Sequence, residues 1–297
     1  MVNTIAPSII LALILLAAAI AATWAGAIRA GRIAISPWLI PFIAASCGAY
    51  AAGILQPAGA LALAISASCA QVWRNSANKA ARLVSGIVLL LAIFALGTHK
   101  LPGFDNPIVI AAQTLSPGAP PFTQYANFDK GAAGLILLAL ACRKSGTSAQ
   151  WRITLQRALP IGAITVIAVL GTAMATAYVR LDPKFNETAA IFITVNLFFT
   201  VVAEEALFRG FIQQQLTDMA GSTKPAAAIA AFVSAVLFGA AHVGGGATFA
   251  ALATLAGFGY AWAYQASGRI EAPILVHCVV NAIHFTCFTY PYLIEAR

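Results

Sequence analysis

Between two apolar runs, the stretch "TVVAEEALFRGFIQ" (200–213) sets Glu204 beside Glu205 and places Arg209 four residues after the second. Ionisable groups within apolar sequence are expensive to bury, so they are functional candidates by default. On a helix Glu205 and Arg209 share a face and can form a charge-assisted pair, whereas Glu204 is turned by about 100° and is left unpaired. Three of the four histidines follow, His242, His277 and His284. "FGAAH" puts Phe238 and His242 on one helical face just before "GGG" at 244–246, and "HCVVN" does the same for His277 and Asn281, with His284 one turn further on. His284 reads as a hydrogen-bonded core residue. Glu204, His242 and His277 read as a reactive set.

The chemistry open to that set is hydrolysis. A carboxylate and an imidazole sharing a water can take its proton, and a second imidazole with an amide can donate hydrogen bonds to the oxyanion that forms on a carbonyl. The alternative use of Glu204, His242 and His277 is as three ligands of a zinc with an open fourth position, and spacing alone does not decide between the two. Other routes to peptide cleavage in a membrane are missing from the sequence: there is no HExxH, no GxSG nucleophile motif with a paired histidine, and no GxGD-like aspartate.

The elements that must position these groups are membrane helices. Of 297 residues, 61% are apolar and only 9% charged, against about a quarter charged in soluble domains. Apolar segments near 7–28, 36–55, 58–73, 83–98, 130–142, 158–178, 188–215, 225–243, 247–266 and 273–290 predict an all-α, polytopic transmembrane bundle of about eight to ten spans. The first segment reads as a retained helix rather than a cleaved leader. Five cysteines in or beside apolar segments, with no CxxC, predict neither disulfides nor a zinc knuckle. The net charge of +8 is carried in short loops and reads as a topology signal, with no nucleic-acid partner. Most cations, from Arg29 and Arg32 to Arg269, fall on one side of ten alternating spans, with Lys100, Lys130, Arg180, Lys184 and Arg297 opposite and both termini outside the cytoplasm. Residues 99–130, rich in Pro, Gly and aromatics, predict an ordered loop. The segment 143–157 separates a front half, 1–157, from a back half, 158–297, that holds the buried charge.

EExxxR, FxxxH and HxxxN, present in this order as "EEALFR", "FGAAH" and "HCVVN", resemble the CAAX protease and bacteriocin-processing (Abi) family of intramembrane endopeptidases over roughly residues 187–290. The flanking "FRG" and "PILVHCVVNAIH" resemble it too. The resemblance implies that Glu204 with His242 activates the attacking water, that His277 and Asn281 form the oxyanion hole, and that Glu205 and Arg209 support the site. It implies a metal-free, glutamate-type endopeptidase, with the zinc-dependent form as the alternative, whose catalytic core is 158–297.

The expectation is therefore an integral protein of a bacterial inner membrane that encloses a polar cavity and cleaves a membrane-tethered peptide or protein, with the lipid bilayer as its other partner. Two rival readings are a transporter using the same charges as a proton relay and a binding protein without turnover. One geometric difficulty follows. If every helix crossed the whole bilayer, His242 and His277 would lie near opposite faces, so chain breaks are expected at "GGGATF" and "SGRIEAP".

Overall fold

The computed structural model describes residues 5–30, 33–221 and 223–296; Arg32 and Arg297, counted above among the topology-setting cations, lie outside them. Ten helices carry the described residues: α1 (Pro7–Ala22), α2 (Leu39–Ala51), α3 (Pro57–Asn75), α4 (Lys79–Gly97), α5 (Phe128–Leu140), α6 (Ser148–Ala175), α7 (Glu187–Met219), α8 (Lys224–Ala241), α9 (Ala247–Ser267) and α10 (Glu271–Cys287). Their starts are written in the sequence. Asn78, Thr147, Asn186 and Thr223 each accept a hydrogen bond from a backbone N–H in the first turn of α4, α6, α7 and α8, and α1 and α3 open on proline, which has no N–H to leave unsatisfied.

Two departures from the expected all-α bundle are seen. Short antiparallel strand pairs form between β1 (Ile28–Ala30) and β2 (Ile33–Ile35) and between β3 (Ile108–Gln113) and β4 (Phe122–Tyr125). The second lies within 99–130, where β-branched "IVI" and aromatic "FTQY" flank a Pro- and Gly-rich turn, a composition that suits a strand pair. Secondly, among the described residues four helices rather than eight to ten are both long and apolar enough to cross a membrane, α4, α6, α7 and α8, with α1, α2 and α10 apolar but shorter. The apolar segments at 7–28 and 36–55 yield helices of only 16 and 13 residues, because turns and strand residues take the rest, and the segment at 130–142 was already only as long as the 13-residue α5. Large apolar side chains nonetheless point outward along these helices, among them Ile14, Ile43, Leu83, Leu91, Ile167 and Phe232. An outward apolar surface on hydrogen-bonded helices is what lipid selects, and the chain is a helical integral membrane protein.

Two features of the packing set up the site. α7 is not a uniform α-helix: Leu197–Val201 and Ala206–Gln213 are π-helical, and the two glutamates sit on the short α turn between them, Val202–Glu205. Single π turns are rare and gather at functional sites. Against this middle of α7 lies α5, buried along nearly its whole length. Glycines allow the approach. A Cβ on Gly134 would stand 2.7 Å from Ala203 Cα, and one on Gly131 would stand 2.5 Å from the Phe199 ring. Lys130, one turn before Gly134 on the same face, is thereby carried to Glu204.

Candidate active site

The structure places Glu205 and Arg209 as their spacing predicts. Arg209 Nη1 donates to Glu205 Oε1 at 2.9 Å, and both side chains are fully buried. The second guanidinium nitrogen, Nη2, donates to the Gly257 carbonyl on α9 at 3.0 Å, and the group lies 4.6 Å from the centroid of Phe238 and 5.2 Å from that of Tyr260. A planar cation with five donors suits this combination of carboxylate, carbonyl and ring faces better than an ammonium would.

Glu205 has a second partner that helix spacing does not reveal. His277 Nδ1 lies 2.7 Å from the same Oε1. A carboxylate already paired with a guanidinium accepts, so Nδ1 carries the proton and donates. The other ring nitrogen, Nε2, points to Glu204 Oε2 at 3.9 Å. Tyr260 stacks on the imidazole, with centroids 4.4 Å apart and planes 15° from parallel. One turn on, Asn281 Nδ2 donates to Asn196 Oδ1 at 2.9 Å, which fixes the amide and leaves its second N–H free to bond elsewhere.

His242 is the C-cap of α8, where its Nδ1 donates to the Phe238 carbonyl at 2.7 Å. A carbonyl can only accept, so in the neutral ring Nε2 is the basic nitrogen. Both expected breaks are present. A short 3₁₀ turn at Val243–Gly245 ends at Gly246, whose φ is +100°, and Gly268 closes α9 in the left-handed conformation. The ring of Phe238 then lies between the two imidazoles, 4.5 Å from His242 and 5.6 Å from His277.

Glu204 corrects the sequence reading. It is not unpaired: Lys130 Nζ donates to its Oε1 at 2.6 Å. Lys130, read above as a loop cation on the opposite side, is instead a largely buried residue of α5. His284 lines the cavity against Tyr290, with centroids 5.0 Å apart, and its Nε2 has no hydrogen-bond partner.

Glu204, His242, His277, Asn281 and Asn196 share a cavity of about 310 Å³ whose other walls include Val169, Phe192, Phe249, Tyr290 and Tyr292. A second cavity, about 200 Å³, lies against Glu204 and His242 together with Lys130, Phe94, Thr98 and Leu207. The glutamate and the first histidine thus stand at the wall between two spaces. Sequence reasoning missed Lys130, Asn196 and Tyr260. The signal for Asn196 was its place as an uncharged amide inside "FITVNLFF"; Lys130 and Tyr260 act across helices that spacing does not relate.

A three-ligand zinc site needs Glu204, His242 and His277 converging on one point with lone pairs free. Glu204 carries an ammonium on one oxygen, which opposes a dication at the same carboxylate. Among the described residues no three His, Cys, Asp or Glu side chains are grouped so as to hold a metal ion. The residues do not fit the zinc alternative.

Residues 186–283 match the family model described as Type II CAAX prenyl endopeptidase Rce1-like. No curated protein and no solved structure matches the chain. The matched stretch contains Glu204, Glu205, Arg209, His242, His277 and Asn281, so the resemblance carried by EExxxR, FxxxH and HxxxN extends to the family model: residues 186–283 of this helical integral membrane protein are similar to the Rce1-like CAAX endopeptidases.

Proposed function

We propose that the protein is a glutamate-type intramembrane endopeptidase, on the strength of one observation above the others: Glu204, His242, His277 and Asn281 line a single cavity within apolar helices. Glu204, assisted by Nε2 of His242, takes a proton from water, and the oxygen attacks a peptide carbonyl. The carbonyl oxygen becomes an oxyanion held by the free N–H of Asn281 and by His277. Because Nδ1 of His277 already donates to Glu205, Nε2 can donate only when the ring carries both protons, so His277 acts as an imidazolium flanked by two carboxylates. Collapse of the tetrahedral intermediate breaks the C–N bond, and the leaving amine takes the proton that Glu204 and His242 received.

Glu205 and Arg209 support this arrangement without touching substrate. The apolar and aromatic wall beside the reactive groups suits a membrane-tethered peptide, with a lipidated or helical segment next to the cleaved bond. We place the catalytic core in 158–297, with 1–157 as a second set of membrane helices, and the protein in a bacterial inner membrane. The test is to incubate purified protein with membrane proteins of its own host and map new termini by mass spectrometry. New termini that appear with wild type and not with Glu204→Gln support the reading. Solute or ion flux in liposomes without any new terminus would replace it with the transporter.

Two expected results follow from the same geometry. Asn281→Ala lowers kcat by about 10²–10³-fold with KM little changed, the usual loss for one oxyanion donor; an effect confined to KM would reassign the amide to substrate binding. Prolonged treatment with a strong chelator leaves kcat unchanged, since an ammonium stands where a cation would compete for Glu204. Activity lost with one equivalent of zinc and restored on adding it back would return the zinc alternative.

A further inference from the structure

Lys130 lies outside residues 186–283, on a helix of the front half, yet its ammonium touches the carboxylate at the centre of the site. The contact is between two largely buried side chains, 15% and 12% exposed, and either charge alone in that place would be costly. Its position is also built. The backbone N–H of Lys130 donates to Asp129 Oδ1 at 2.8 Å, and Asp129 is held by His99 Nδ1 at 2.7 Å and Asn106 Nδ2 at 3.0 Å. Asn106 Oδ1 in turn accepts from Phe128 N at 2.8 Å, which anchors the first turn of α5. Gly131 and Gly134 then let that helix approach the turn that carries Glu204.

We propose that Lys130 is a positioning residue for the hydrolysis: by holding Oε1 it fixes the charge and the aim of Glu204 and leaves Oε2, the oxygen turned toward His277, to meet the water. The proposal rests on the reading of Glu204 as the base. A carboxylate in an apolar site tends to take up a proton or rotate to another partner, and an ammonium on one oxygen opposes both. The other groups facing Glu204 are His242 from α8 and His277 from α10, with Tyr260 of α9 and the Glu205–Arg209 pair further off. The Nδ1 atoms of both histidines are taken, by the Phe238 carbonyl and by Glu205, and His277 Nε2 stands 3.9 Å from Oε2, beyond hydrogen-bond range, so His277 does not clamp the carboxylate as Lys130 does.

The test uses full-length protein in liposomes and a quenched fluorogenic peptide with an apolar membrane anchor that the wild type cleaves. Lys130→Met is expected to lower kcat by about 10²-fold, the usual scale for a misplaced catalytic group, with KM within about twofold of wild type. The acid limb of kcat/KM moves to higher pH, and Lys130→Arg restores both the rate and the limb. A loss confined to KM would make Lys130 a substrate-binding residue, and wild-type rate and pH profile in Lys130→Met would make the pair incidental; either overturns the proposal. Should Lys130→Met fail to fold, infrared difference spectra of wild type against Glu204→Gln decide at neutral pH. A carboxylate band assigned to Glu204 supports the proposal, and a protonated-acid band overturns it. Failure of the base assignment is read separately, as cleavage that persists in Glu204→Gln.

Discussion

Glu204→Gln is expected to lower kcat/KM by about 10²–10⁴-fold, the range for loss of a general base, in a protein that remains folded. The change is nearly isosteric and the amide oxygen can still accept from Lys130 Nζ, so the fold is kept, at a lowered melting temperature because the buried ammonium loses its counter-charge. What disappears is the ability to take a proton. His242→Ala is expected to lose activity on the same scale, because Nε2 is its only basic nitrogen once Nδ1 donates to Phe238. Both are measured as kcat/KM on the anchored quenched peptide, with thermal melts beside them. Wild-type activity in either variant would remove the mechanism.

Arg209→Ala is expected to cost about 3–5 kcal/mol of stability, because it leaves Glu205 buried with its guanidinium partner gone. The loss also removes the donor to Gly257 and the cation over two aromatic rings. Activity falls with it, since Glu205 orients His277. The double variant Glu205→Gln/Arg209→Met is expected to recover much of the melting temperature, as apolar or neutral replacements of buried pairs often do. An Arg209→Ala protein that is inactive yet melts like the wild type would instead place the guanidinium in substrate recognition.

How much of this was legible in the sequence depends on the range of the interaction. Contacts within one helical turn were: Glu205 with Arg209, Phe238 with His242, and the shared face of His277 and Asn281 all follow from a 3.6-residue period. The breaks after His242 and before Glu271 follow from glycine. Contacts between helices were not. Nothing in the spacing of "FDKGAAG" says that Gly131 and Gly134 bring α5 onto α7, and without that approach Lys130 looks like a loop cation. The stacking of Tyr260 on His277 and the bond from Asn281 to Asn196 likewise depend on how α7, α9 and α10 are rotated against one another. Span number was overcounted in part because an apolar run constrains composition but not where a turn will shorten the helix, as in the 16-residue α1 and the 13-residue α2.

Across the π-helical stretch Ala206–Gln213 each turn closes its hydrogen bonds over one residue more than an α turn, so the helix carries more residues here than ordinary α geometry would hold. Deleting one residue there would let the helix relax toward ordinary α geometry, with better hydrogen bonds, but would swing the residues beyond by about 100°. Gln213, whose Nε2 now donates to the Ala261 carbonyl at 3.1 Å, would lose that partner. Better backbone hydrogen bonding and the present placement of the site therefore pull against each other at this turn.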